Sequence, residues 1–161
     1  PLKQLQKPPM LPSRPDLRRL LAAQTNAPLG SGAFTLGNIL LIGEQASHPQ
    51  TDPDQEPFCS GLGCSGWICD QLDIENFNEQ DLFWINARHN DGRFVDLPLV
   101  VRLLKPRAIL ALGKVAESLC VKVGAPHKYI PHPQYWKRFK SKLRYPLLDE
   151  LHALKCSFAV T

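Results

Sequence analysis

Four residues with chemistry to offer fall within one five-residue stretch: Glu44, Gln45, Ser47 and His48, a carboxylate, an amide, a hydroxyl and an imidazole. They follow Ile39-Leu40-Leu41-Ile42-Gly43, a short apolar run bounded by turn residues, which suits a strand covered on both faces of a parallel sheet. In open α/β sheets ligands gather outside the carboxyl ends of such strands, so this loop is a candidate pocket wall. The alternative is an ordinary strand exit whose polar residues face water. A second candidate is His132, in Tyr129-Ile130-Pro131-His132-Pro133. Proline on both sides limits the backbone to extended and turn geometry, so the imidazole is held in place.

The next segment, Gln134 to Tyr145, interleaves five cations (Lys137, Arg138, Lys140, Lys142, Arg144) with four aromatics. That mixture suits phosphate contacts combined with stacking or wedge insertion. A plain amphipathic helix with a basic solvent face is the competing reading. Cys59, Cys64 and Cys69 invite a metal site, but they contain no CxxC pair and no histidine stands at finger spacing. With Cys120 and Cys156 they make an odd set of five, expected to be reduced thiols rather than a disulfide framework. Asp52, Asp54 and Glu56 alternate between prolines without the glycine and distal Glu of a calcium loop, and read as a solvated loop. Gly30-Ser31-Gly32 reads as a loop and lacks the Lys-Ser/Thr ending of a phosphate cradle.

The positioning elements follow from the pattern. Leu82 to Ile85, ending at Asn86, repeats the apolar strand with a polar tip, and Ala108 to Leu112, ending at Gly113, is a third strand. Between them Leu97, Val100, Val101 and Leu104 form a helical stripe that Lys105-Pro106 terminates. Further helices are expected over Lys114 to Val121, closing near Gly124, and through Leu147, Leu148, Leu151 and Leu154. Trp67 to Leu72 reads as the start of another, with Ser65 as its cap and its N–H groups available to an anion. Strands alternating with helices predict a three-layer α/β/α fold on a central, mostly parallel four-stranded sheet. Residues 1–15, rich in Pro, Lys and Gln, are expected to be a flexible arm, and residues 16–161 a single domain. A hydrophobic content of 43% supports a real core, and a net charge of +4 permits nucleic acid as a partner. No run approaches the roughly 20 apolar residues of a membrane span, and no signal-peptide core opens the sequence, so a cytoplasmic protein without a membrane partner is expected.

Taken together, these segments resemble the uracil-DNA glycosylase superfamily, most nearly its iron–sulfur branch, over about Gly37 to Leu154. The resemblance is carried by Leu82-Phe83-Trp84-Ile85-Asn86, by Leu103-Leu104-Lys105-Pro106 through Gly113-Lys114-Val115-Ala116, and by Ile130-Pro131-His132-Pro133-Gln134-Tyr135-Trp136-Lys137-Arg138. It implies a monomeric DNA glycosylase that hydrolyses the N-glycosidic bond of uracil, or of a 5-substituted uracil, flipped out of DNA. Glu44 matches the acid of the branch's Gly-Glu-Ala/Gly-Pro-Gly motif. In the best-known branch the acid falls instead at the position of Gln45. On this resemblance Glu44 orients the water, His132 donates to the charge developing on the base, Phe58 stacks on the base and Asn86 pairs with its edge. Gln45 and Ser47 line the base pocket, and His48, Ser65, Gln134, Tyr135, Trp136, Lys137, Arg138 and Lys140 face DNA.

The departures are informative. Arg88 and His89 stand where a Lys-Cys pair is expected, and no cysteine lies near the amino terminus, so neither a cluster nor another cofactor or metal is predicted. Ser47 replaces a tyrosine that blocks the thymine methyl in the best-known branch, which predicts a wider pocket around the pyrimidine's fifth carbon. Pro133-Gln134 stands in place of the usual Pro-Ser. A catalytically altered relative that binds DNA or nucleotide, or processes a modified base by other chemistry, is the alternative. An unrelated flavodoxin-like domain is a third reading.

Overall fold

The computed structural model describes residues 31–32, 36–45, 63–77, 81–89 and 91–154. In chain order they form β1 (Ser31–Gly32), β2 (Ile39–Gly43), α1 (Gly63–Ile74), β3 (Leu82–Asn86), α2 (Leu97–Leu104), β4 (Ala108–Leu112), α3 (Lys114–Val123), β5 (Lys128–Ile130), α4 (Pro133–Phe139) and α5 (Pro146–Ala153). The sheet order is β1-β3-β2-β4-β5. β2 pairs in parallel with β3 from Ile39↔Leu82 to Gly43↔Asn86 and with β4 from Ile39↔Ala108 to Ile42↔Ala111, and β4 pairs in parallel with β5. Four parallel strands flanked by helices make the expected three-layer α/β/α architecture.

Side chains alternate across the strands, so the apolar runs split into two cores by parity. Leu40, Ile42, Phe83, Ile85, Ile109 and Ala111 face α2 and α3, meeting Leu97, Val100, Leu104, Ala116 and Leu119. Ile39, Leu41, Leu82, Trp84, Leu110 and Leu112 face α1 and α5, meeting Ile68, Leu72, Leu147, Leu148 and Leu151. The helix through Leu97 runs as its stripe requires. The Asp96 carboxylate accepts the Leu99 N–H at 3.1 Å as its cap, and Lys105 closes it in the left-handed conformation (φ 47°). α3 closes on Gly124, also left-handed, where a residue lacking Cβ is favoured.

Three expectations need correction. Ser31–Gly32 is a short antiparallel edge strand on β3, not a loop, because the exposed edge of β3 supplies its partners. α1 begins at Gly63, which places Ser65 inside the first turn rather than at the cap. Cys69 is disulfide-bonded, whereas the buried Cys120 is a free thiol, as expected. An expectation drawn from compartment carries no information on which thiols face each other. The expected helix after Asp16, the arm over residues 1–15 and the acidic loop at Asp52 to Glu56 lie outside the described residues. No helix among the described residues is long and apolar enough to cross a membrane.

The α2 cap gives a direct check on this reading. Asp96→Ala is expected to lower unfolding stability by about 1 kcal/mol, measured by chemical denaturation, because the Leu99 N–H then loses its acceptor.

Candidate functional site

β2 and β4 are neighbours whose exits diverge. The chain leaves β2 through α1 on one face toward β3, and leaves β4 through α3 on the other face toward β5. A switch of this kind opens a crevice outside the carboxyl ends of the two strands. Glu44 follows β2 into this crevice, Gly113 follows β4, and His132 follows β5 by two residues.

Each group is held by backbone pairing. The Ala87 N–H donates to the Gly43 carbonyl at 2.8 Å and the Arg88 N–H to the Glu44 carbonyl at 3.0 Å, which carries the β2–β3 ladder past the strands and fixes the Glu44 backbone. From there the Glu44 carboxylate reaches His132, with Oε2 and Nε2 3.5 Å apart. This separation exceeds that of a formed hydrogen bond, so either group can turn to another partner at small cost.

His132 is the N-cap of α4, and its Nδ1 accepts the Gln134 N–H at 3.0 Å. That bond assigns the tautomer: with Nδ1 the acceptor, the neutral ring carries its proton on Nε2, the nitrogen that faces Glu44. Burial pushes the His132 pKa below its ordinary value of 6.5, and the Glu44 carboxylate pulls in the opposite direction. Protonating Nδ1 would also set two N–H groups against each other at the cap. The ring is therefore a neutral donor at neutral pH.

Gly113 seats that ring. Its φ is +98°, and a Cβ built on it would lie 2.8 Å from His132 Cδ2 and 3.1 Å from His132 Cβ. Only glycine satisfies both the backbone conformation and the close approach. In the sequence Gly113 reads only as the end of β4; its place between a strand and a helix is the signal that points to a close approach.

Asn86 ends β3 in register with Gly43, half-buried and on the same edge of the sheet as Glu44. Gln45 is exposed beside Glu44. Ser47, His48 and Phe58 lie outside the described residues, and only the backbone of Ser65 is described. On α4, Gln134 serves the cap, and Tyr135 is exposed with its ring 5.3 Å from that of Phe139. Lys137, Arg138 and Lys140 are exposed, as is Lys142 in the following turn. Trp136 instead turns inward and is half-buried, its indole N–H donating to the Leu143 carbonyl at 3.0 Å. Arg144 also leaves the basic set, because Glu75 and Asp149 both pair with it. Arg88 lies over the Phe94 ring at 5.2 Å. Burial pushes the Cys120 thiol up to about 11, so this cysteine is not a nucleophile. Among the described residues no three His, Cys, Asp or Glu side chains gather as metal ligands.

The arrangement offers a carboxylate that can accept a proton from water, a neutral imidazole N–H that can donate to developing negative charge, and an amide at the neighbouring strand end. No protein-family model matches this sequence, and no curated protein matches it.

Two outcomes are expected. Gly113→Ala is expected to displace the His132 ring and lower stability by about 1–3 kcal/mol, read as a moved His132 NMR resonance together with a lower unfolding midpoint. His132 also links stability to pH. Above 6.5 it is neutral in both states. As pH falls through 6.5 the unfolded chain takes the proton first, so stability is lost on acidification until the lower folded pKa is reached. His132→Gln is expected to flatten that part of a stability-versus-pH curve.

Proposed function

We propose that this chain is a DNA glycosylase of the uracil type, hydrolysing the N-glycosidic bond of uracil or a 5-substituted uracil flipped out of DNA. The observation that carries the reading is the geometry of His132 at the switch-point crevice: its Nδ1 accepts the Gln134 N–H at 3.0 Å, and its Nε2 faces the Glu44 carboxylate 3.5 Å away. In this reaction the C1′–N bond breaks and its electron pair stays on the base. A neutral imidazole donor stabilises the negative charge that then develops on the base's carbonyl oxygen. Glu44 orients a water and accepts its proton as the oxygen bonds to C1′. Asn86 presents an amide, acceptor and donor together, to the carbonyl and imide of a pyrimidine edge. Flipping the base out of the stack costs a few kcal/mol.

The surface beside the crevice supports a DNA partner. Lys137, Arg138, Lys140 and Lys142 are exposed next to the exposed Tyr135, Phe139 and Leu143, a pairing of phosphate-binding charge with stacking or wedging groups. Among the described residues none of these four cations is ion-paired. The wider pocket expected from Ser47 extends the reading to pyrimidines substituted at the fifth carbon.

Single-turnover assays on oligonucleotides containing uracil, hydroxymethyluracil or thymine test the proposal, with abasic sites as the product. Glu44→Gln is expected to slow base release by on the order of 10²–10³ while the DNA Kd stays within about threefold. Binding to all three oligonucleotides without any abasic site would replace the proposal with a binding module, or with other chemistry on the same fold.

A further inference from the structure

The two prolines that hold His132 also remove backbone donors. Between Ile130 and Gln134, Pro131 and Pro133 have no N–H, so the placement of this turn depends on what its carbonyls accept. Three successive carbonyls are each taken by a different element. The Ile130 carbonyl accepts the Gly113 N–H at 2.8 Å, and the His132 carbonyl accepts the Trp136 N–H at 3.1 Å. Between them, the Pro131 carbonyl accepts the Tyr145 hydroxyl at 2.7 Å.

Tyr145 is well built for this role. It is fully buried immediately before α5, and its ring lies 5.2 Å from that of Trp67 and 6.0 Å from that of Trp136, both tilted. Its hydroxyl is therefore aimed by packing, with little rotamer freedom left to lose. Rotation of the peptide whose oxygen it holds would carry the His132 Cα with it, and with it the ring's seat on Gly113.

We propose that Tyr145 is a positioning residue for His132: its hydroxyl locks the Pro131–His132 peptide so that Nε2 faces Glu44. The consequence for catalysis rests on the glycosylase reading, whereas the geometric lock does not. Tyr145→Phe retains the ring and its packing but deletes the hydroxyl. Three measurements follow, with thermal unfolding confirming that the variant folds. The His132 ring titration by NMR is expected to rise toward about 6.5 as the ring loses its buried seat. The single-turnover rate of uracil release is expected to fall about tenfold, with the DNA Kd unchanged within about twofold. In the unsubstituted protein, the Tyr145 hydroxyl proton is expected to exchange slowly with water.

A His132 titration that does not move in a folded Tyr145→Phe would overturn the assignment, and so would a hydroxyl proton exchanging at the rate of a free phenol. Should the unsubstituted protein release no base, the glycosylase reading falls, while the ring titration and hydroxyl exchange still decide the role of Tyr145.

Discussion

β2 has a hydrogen-bonded parallel neighbour on each side and helices over both faces, so none of Ile39 to Ile42 reaches water. Every other element is placed relative to this strand. Its parity divides the apolar residues into the two cores, and a slip of one residue would exchange Leu40 and Ile42 for Ile39 and Leu41 against the wrong helices. Because β3 lies on one side and β4 on the other, the connections diverge at its end, and the crevice follows from that divergence. The position of Glu44 is thus a consequence of strand order: it is the first residue past the most constrained strand.

The chemistry of His132 is coupled to folding through one atom. Nδ1 both caps α4 and sets the tautomer, so the bond that starts the helix also leaves the proton on Nε2. α4 has only seven residues, fewer than an isolated helix needs, and it is kept by packing on α1 and by the cluster of Trp67, Trp136 and Tyr145. A histidine at a helix N-terminus also sits at the positive end of the helix dipole, which opposes the imidazolium. Burial acts in the same direction, and Glu44 against it. The same fold therefore keeps the ring neutral and places it within reach of a carboxylate.

The basic surface shows how geometry edits a composition. Arg144 is partly exposed, yet it bridges Glu75 and Asp149, and His152 adds a contact to Glu75 at 2.8 Å. This network ties the start of α5 to the end of α1, and its exposure keeps the contribution of each pair modest. It also lowers the Glu75 pKa below its ordinary value, chiefly through the Arg144 hydrogen bond. Of the cations in this segment, Lys137, Arg138, Lys140 and Lys142 stay exposed and without an ion pair among the described residues, next to the exposed rings of Tyr135 and Phe139.

Much of the architecture was legible in the chain alone. Apolar runs of strand length, the stripe ending at Lys105-Pro106 and the glycine at 124 all report local preferences, and local preferences survive into the fold. The restraint on His132 was legible too, since proline acts on its immediate neighbours. Which residues stand opposite one another was not. Tyr135 and Tyr145 read alike in a basic, aromatic run, yet one is half exposed and the other fully buried with its hydroxyl on Pro131. Arg144 and Lys142 read alike as well, and only the former finds carboxylates, because Glu75 lies 69 positions away in sequence. Gly113 reads in the sequence as a strand terminator, and its role as the seat of His132 depends on β5 bringing that ring against it. The sequence by itself determined β2, β3 and β4, most helices and the faces they bury, because periodicity records burial. The meeting of Glu44, Gly113, His132 and Tyr145 was decided by the tertiary structure alone, because strand order and side-chain partnership depend on segments far apart in the chain.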